Sequence, residues 1–257
     1  MENDKLSIGL MTSTNLSNRY NVCKSTWIKD FDNTYLFGGY IKDPNLIMIE
    51  SAGEDWESCF LKQQLGLKYM YEQNPNNDWY NISGCDNVLY KSNIVKYLSN
   101  FNPDEDLLIG QAGDVWVDIP HLYKPDNLNL NNKYYRSKTV GNVNGCVSFQ
   151  MLCGGATFFI SRSLMSKLYQ HIEKFNIEWK SISGHYYGSA DLALSYMAKK
   201  YCGVDLTHSN YMFSQPPTHY ELERDMYDYD VVECGKNPLS YHYIKPDEMK
   251  EIYDRYK

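Results

Sequence analysis

A few places in the chain combine residue types that can do chemistry with a local pattern that would present them. In Trp79-Tyr-Asn-Ile-Ser-Gly-Cys-Asp-Asn-Val-Leu-Tyr90 a strand pattern delivers Asp86 into a tight turn ahead of a helix. A carboxylate there can hold a divalent ion that bridges a ligand's diphosphate. The same placement suits an aspartate that only makes a turn or caps a helix. Gly154 and Gly155 stand between two apolar runs, where paired glycines either admit close approach of backbone to a ligand or make a bulge. Asp191 opens the helical run that follows Gly188-Ser-Ala190. It is either a cap favoured by the helix dipole or a general base that takes a proton from an attacking hydroxyl. His242 lies between two tyrosines in Ser240-Tyr-His-Tyr-Ile244, as a core histidine or as a metal ligand.

The elements that must position these residues alternate in kind. Strand patterns cover residues 6–12, 35–38 and 46–50, and a helix ends within Val22-Cys-Lys-Ser-Thr-Trp-Ile28. A long helix fits 54–73, with Trp56, Cys59, Phe60, Gln63, Leu67 and Met70 at three- and four-residue spacing, and Asn74-Pro-Asn-Asn77 stops it. Strand 78–82, the turn 83–87, helix 91–100 and strand 107–110 follow, then a polar, Asn-rich stretch at 120–144 that reads as a loop or lid. The remainder reads as strands 147–151 and 156–160, helices 163–175 and 191–200, strand 240–244 and a helix from Pro246. The alternation predicts an α/β fold: a mostly parallel, Rossmann-like sheet with helices on both faces, in one domain over 1–257. Neither Gly-x-Gly-x-x-Gly nor a Walker Gly-Lys-Ser/Thr occurs, which removes support for dinucleotide oxidoreductases and P-loop enzymes.

Composition narrows the partners. The 257 residues carry 25 Lys+Arg against 32 Asp+Glu, net −7, without a basic tract, which argues against nucleic acid. No run of 18 apolar residues exists to span a membrane. The seven cysteines are widely spaced and lack a Cys-x-x-Cys pair, so zinc-ribbon and thioredoxin motifs are out and buried free thiols are expected. The 24 tyrosines fit either codon bias or an aromatic carbohydrate-binding surface. Met-Glu-Asn-Asp-Lys leads straight into the first strand pattern without a signal peptide, which favours the cytoplasm, or the secretory lumen if a leader was trimmed.

Taken in order, several segments resemble one family. Lys24-Ser-Thr-Trp27 is similar to a Lys-x-Thr-Trp segment, and Trp79-Tyr with the Asp86-Asn turn is similar to Trp-Phe followed by an Asp-Asp-Asp metal motif. Asn102-Pro-Asp-Glu-Asp-Leu-Leu-Ile-Gly110 matches the strand after that motif's helix. Gly154-Gly-Ala-x-Phe-Phe-Ile-Ser161 resembles Gly-Gly-Ala-Gly-Phe/Tyr-x-x-Ser, Asp191-Leu-Ala-Leu194 resembles Glu-Asp-x-x-Leu, and Leu239-Ser-Tyr-His-Tyr243 resembles Val-Ser-Phe-His-Tyr. The chain therefore resembles the fringe-like and core-1 β1,3-galactosyltransferase branch of glycosyltransferase family 31. The resemblance implies a GT-A fold and an inverting hexosyl- or N-acetylhexosaminyltransferase. Its donor would be a UDP-sugar with Mn²⁺ or Mg²⁺, its acceptor a hydroxyl on a glycan or glycoprotein, and its product a β1,3 linkage. It assigns the base to Asp191, the metal to Asp86 helped by His242, and the donor–acceptor site to Trp27, Asp86, Gly154 and Gly155; Lys62 joins the donor-site candidates from a helix that faces the sheet edge. An aspartate with a pKa of about 4 is already ionised at neutral pH, as such a base requires.

The chain also departs from that pattern. Gly84-Cys85-Asp86 retains one aspartate of three, Gln215 stands where a fringe-type histidine ligand would, and Ala190 replaces an acidic residue. These departures keep two rivals open: a catalytically degenerate GT-A domain that binds carbohydrate or acts as a scaffold, and a metal-independent transferase in which Lys or Arg replaces the ion. Lys91 is the basic residue adjoining Asp86 in sequence. Lys62 has the alternative of a solvated helix face. Trp179, Tyr186 and Tyr187 either stack on acceptor sugars or cover the core.

Overall fold

A computed structural model describes residues 5–39, 44–120, 134–135, 146–183, 187–222 and 230–257. The first layer is built from β1 (Leu6–Met11), α1 (Ser17–Ser25), β2 (Asn33–Gly38), β3 (Ile47–Met48), α2 (Ser58–Gln73) and β4 (Trp79–Gly84). β1 pairs in parallel with both β2 and β4. Side chains alternate across these strands, and the alternation divides the core. Leu6, Ile8, Leu10 and Trp79 face one apolar cluster with α1, while Tyr80 and Ile82 face the other with α2. On that second face β1 shows Ser7, Gly9 and Met11, and the bare Gly9 lets α2 pack close against β1 and β4.

The chain then runs through β5 (Val88–Leu89), α3 (Lys91–Leu98), β6 (Leu108–Gly110), β7 (Ala112–Pro120), β8 (Tyr134–Tyr135), β9 (Cys146–Leu152) and β10 (Phe158–Ser161). It closes with α4 (Arg162–Tyr169), α5 (Ile172–Ile182), α6 (Ala190–Cys202), β11 (Leu206–His208), β12 (Met212–Phe213), α7 (Pro217–Leu222), α8 (Val231–Cys234), β13 (Ser240–Tyr241) and α9 (Pro246–Tyr256). The main sheet has seven strands in the order β11-β6-β10-β4-β1-β2-β3. It is parallel except at β10, which runs antiparallel to β4 and β6. α1, α3 and α9 supply buried residues to one face and α2, α4, α5 and α6 to the other. This is the expected mostly parallel sheet covered on both sides. Two smaller three-stranded sheets, β12-β13-β5 and β8-β7-β9, sit beside it.

Several boundaries differ from the sequence expectation. α2 starts at Ser58 rather than 54: residues 55–58 form a turn in which Asp55 Oδ1 accepts the Ser58 amide at 2.9 Å, and the helix begins only after it. The single helix expected over 163–175 is two, α4 and α5, separated by a turn in which His171 N–H bonds Leu168 O. Leu164, Met165 and Leu168, then Ile172, Phe175, Trp179 and Ile182, are all buried; their spacing runs unbroken across the turn and hides it. β7 and β11 were not expected. The loop or lid at 120–144 lies outside the described residues except for Pro120, in β7, and Tyr134–Tyr135, in β8. Cys23, Cys59, Cys85, Cys153, Cys202 and Cys234 are free, with Cys23 and Cys85 buried. Among the described residues no helix is long and apolar enough to cross a membrane.

Candidate active site

β1, β2 and β4 point their carboxyl ends at one rim, where ligands of open α/β sheets bind. Glu54 ties that rim together: its carboxylate accepts the backbone amides of Thr14, just past β1, and of Gly39, just past β2, the latter at 2.8 Å. Lys62 reaches the same carboxylate, Nζ to Oε1 3.7 Å. Lys62 is only 2% exposed, so it does not lie on a solvated helix face. A buried ammonium needs an opposing charge, and Glu54 supplies it.

Asp86 and His242 are 156 positions apart in sequence and meet through the register of the β12-β13-β5 sheet. β13 pairs antiparallel with β5, Ser240 opposite Leu89 and Tyr241 opposite Val88. Continuing that register by two residues brings the chain after β13 alongside the turn before β5, and Ile244 N–H closes it on Asp86 O at 2.9 Å. His242 Nε2 then lies 3.4 Å from Asp86 Oδ2. The other ring nitrogen, Nδ1, faces Ser214 O at 3.3 Å. A carbonyl can only accept, so Nδ1 carries hydrogen and Nε2 presents its lone pair to the carboxylate unless it too is protonated. Two electron-rich atoms aimed at each other call for a proton or a cation between them.

The surroundings fix this pair tightly. Gly155 lies in the short turn Gly154–Ala156, and a Cβ there would stand 2.1 Å from His242 Cε1 and Nδ1. Only glycine lets the ring lie on that backbone. Asn87 Nδ2 donates to Gly155 O at 2.6 Å, joining the Asp86 turn to the glycine turn. Tyr243 packs its ring 3.8 Å from that of His242 and has φ 57°. Thr157 has φ 80° and is held by Asn81 Nδ2 at 2.6 Å and Ser83 Oγ at 2.6 Å. Positive φ at a β-branched residue is a strained conformation that its surroundings must enforce. Arg19, from α1, completes the cluster with Nη1 3.3 Å from Asp86 Oδ2. Burial alone would raise the Asp86 carboxyl, but the hydrogen bond and charge of His242, followed by Arg19, outweigh it and hold the group below its ordinary value.

The donor set fits a divalent ion shared with a ligand. Two atoms bound to one octahedral ion at about 2.1 Å each lie roughly 3 Å apart, close to the Asp86–His242 spacing. Among the described residues no group of three or more His, Cys, Asp or Glu side chains could hold a metal. Asp86 and His242 would therefore supply two ligands and leave the rest of the shell to phosphate oxygens and water; the imidazole nitrogen suits Mn²⁺ rather than the oxygen-seeking Mg²⁺.

Asp191 lies in the first turn of α6, where its Oδ1 accepts the Leu192 amide at 2.8 Å and its backbone carbonyl accepts Ser195 Oγ at 2.9 Å. The Cys59 thiol, on α2, links the pieces electrostatically. Burial pushes it up, Lys62 lowers it, and Asp86, Asp55 and Asp191 each raise it further. At the sheet's carboxyl rim, then, Asp86 meets His242 and Arg19, and Lys62 meets Glu54.

The sequence profile of the Fringe-like family matches residues 1–255. The chain belongs to the Fringe-like family. No curated protein matches it in sequence. Among solved structures it is similar to the glycosyltransferase GlyE of Streptococcus pneumoniae TIGR4, at 10% identity and TM-score 0.53, over 97% of this chain and 60% of that one. It is also similar to the galactosyltransferase LgtC, solved with donor and acceptor sugar analogues, at 12% identity and TM-score 0.52, over 97% and 95% of the two chains. The shared architecture is the GT-A fold. Family and fold together make the chain a glycosyltransferase.

For a Fringe-like protein the remaining expectations sort clearly. Trp27 has no exposed surface and packs edge-on to Phe31 in the core, so it supports α1 rather than facing a ligand. Trp179 is likewise buried, its Nε1 donating to Tyr187 O at 3.0 Å, and Tyr187 packs on Phe60. Tyr186 lies outside the described residues. Trp56 instead is 58% exposed and rests on Gly188, where a Cβ would come within 2.5 Å of its ring. Lys91 pairs with Asp32 at 2.8 Å, away from Asp86. Sequence reasoning missed Arg19, Glu54, Asn87 and the Ser214 carbonyl. Only Arg19 left a signal: it opens the helix after the first strand, the usual ligand-facing position of such sheets.

Proposed function

We propose that this Fringe-like glycosyltransferase is inverting and moves a hexose or N-acetylhexosamine from a UDP-sugar to an acceptor hydroxyl, as a β1,3 linkage on a glycan or glycoprotein. The observation that carries the reading is the facing of Asp86 Oδ2 and His242 Nε2 at 3.4 Å. A divalent ion bound there would offset charge that develops on the leaving diphosphate. Asp86 and His242 hold the donor end, with the Gly155 turn and Asn87 fixing the imidazole plane. Asp191, in the first turn of α6, accepts the proton of the attacking hydroxyl. The open face of Trp56, beside the loop that leads to Asp191, suits the apolar face of an acceptor sugar.

A panel of UDP-sugars tests this, with UDP release measured in Mn²⁺ and in chelator and the anomeric configuration of the product read by NMR. Release and a β-linked product support the reading. An α-linked product from an α-linked donor would remove the inverting mechanism and the base role of Asp191. The carbohydrate-binding or scaffold alternative has one observation in its favour, the guanidinium of Arg19 on the metal carboxylate. It predicts glycan binding without UDP release from any donor.

A further inference from the structure

We infer that Arg19 is the chain's own occupant of the cation position at Asp86, and that once displaced it becomes a ligand of the donor's diphosphate. The inference rests on reading Asp86 as the diphosphate centre. Arg19 Nη1 and His242 Nε2 both approach the same oxygen, Asp86 Oδ2, at 3.3 and 3.4 Å. Both distances exceed the roughly 2.7–2.9 Å of a well-made charge-assisted hydrogen bond, so the carboxylate is held loosely by each. An ion placed between Oδ2 and Nε2 takes the lone pair that the guanidinium now uses. Arg19 and a divalent ion are therefore competitors for one atom.

Displacement leaves Arg19 where a phosphate would be. The Arg19 side chain is 36% exposed, so its head group can turn away without crossing packed core. Its helix begins just beyond β1, on the rim that β4 and Asp86 share. A guanidinium presents a planar fork of donors that matches two phosphate oxygens, which an ammonium does not. Asp86 thus has two states. Without metal it is neutralised by Arg19; with metal and nucleotide, Arg19 moves to the diphosphate and adds a positive charge beside the ion. The arrangement accounts for a chain that keeps one aspartate of a metal motif and still presents two positive groups to a leaving diphosphate.

Arg19→Gln in the full chain separates the two roles. Mn²⁺ binding without nucleotide, followed by electron paramagnetic resonance, should tighten roughly tenfold in Arg19→Gln because the competitor is gone. UDP affinity measured by calorimetry at saturating Mn²⁺, where Arg19 has been displaced onto the diphosphate, should fall by roughly the same factor. Arg19→Lys should restore part of the UDP affinity but less than the fork provides. An unchanged melting temperature certifies the fold of each variant. Wild-type UDP binding together with unaltered Mn²⁺ and UDP affinities in Arg19→Gln would overturn the role of Arg19 alone. Weaker Mn²⁺ binding in the variant would overturn the competition. A wild-type chain that binds neither UDP nor Mn²⁺ would overturn the donor-site reading itself, and this inference with it.

Discussion

Asp191 Oδ1 accepts its neighbour's amide in the first turn of α6, a bond that the side-chain carbonyl of asparagine also makes. Asp191→Asn therefore separates capping from proton transfer. As a base, its loss lowers transfer by about 10²–10⁴ while UDP affinity and melting temperature stay near wild type; as a cap, rate and stability both stay. Rate and affinity measured on one preparation decide between them. Gly155 offers a steric counterpart. A methyl group at that position meets the His242 ring at 2.1 Å, and since backbone lies on one side, the ring must leave its place. Gly155→Ala should cost about 1–3 kcal/mol in denaturant unfolding and weaken Mn²⁺-dependent UDP binding. Intact binding would detach His242 from the donor centre. At this scale the sequence was informative about residue type: Asp86, Gly155 and His242, each singled out in the sequence, lie against one another. It was misleading about aromatic rings, because a tryptophan pattern does not distinguish a stacking surface from a core. Trp27 and Trp179 are buried, whereas Trp56 is exposed.

Elements place these residues, and the clasp between α5 and α6 is a measurable case. Glu178 on α5 accepts Tyr196 Oη at 3.1 Å and bonds Lys200 and Tyr201, all on α6. Burial would raise the Glu178 carboxyl, but Lys200 and the two tyrosines together hold it below its ordinary value. A carboxylate whose folded pKa is depressed contributes stability that is full above its unfolded pKa and lost as pH falls through the folded one. Glu178→Gln should therefore destabilise the chain by about 1–3 kcal/mol near neutral pH. The gap to wild type should close as pH drops below the ordinary glutamate range. A gap independent of pH would show that packing, not charge, holds the clasp. Strand and helix alternation was legible because hydrophobic period reports it directly. The Asp86–His242 meeting was legible only through the family resemblance, because it depends on the pairing of β5 with β13, short strands whose register no local pattern encodes. The break between α4 and α5 was hidden for a related reason: buried residues keep helical spacing across it.

At the scale of the whole molecule, the parallel strands set one working edge. β1, β2 and β4 end there together, Glu54 bridges the first two, and the β12-β13-β5 sheet brings His242 to the third. The resemblance across ordered segments carried the fold, since each segment falls on a strand or helix end of the α/β framework, from α1 through β4, β6, β10 and α6 to β13. It did not carry the electrostatics of the site, because Arg19 approaches Asp86 from a helix 67 positions away. A ligand that binds only the folded chain raises its melting temperature, by about 2.7 kcal/mol of stabilisation at a hundredfold excess over its dissociation constant. UDP with Mn²⁺ should produce such a shift, and Mn²⁺ alone a smaller one. The central claim is that Asp86 and His242 form the donor centre of a nucleotide-sugar transferase. The most direct measurement is UDP release from UDP-sugars by wild type and Asp86→Asn at equal folded concentration, with Mn²⁺ present. The account predicts turnover by wild type and a loss of at least about 10²-fold in the variant, with the melting temperature in buffer little changed. Equal turnover by the two proteins would contradict it.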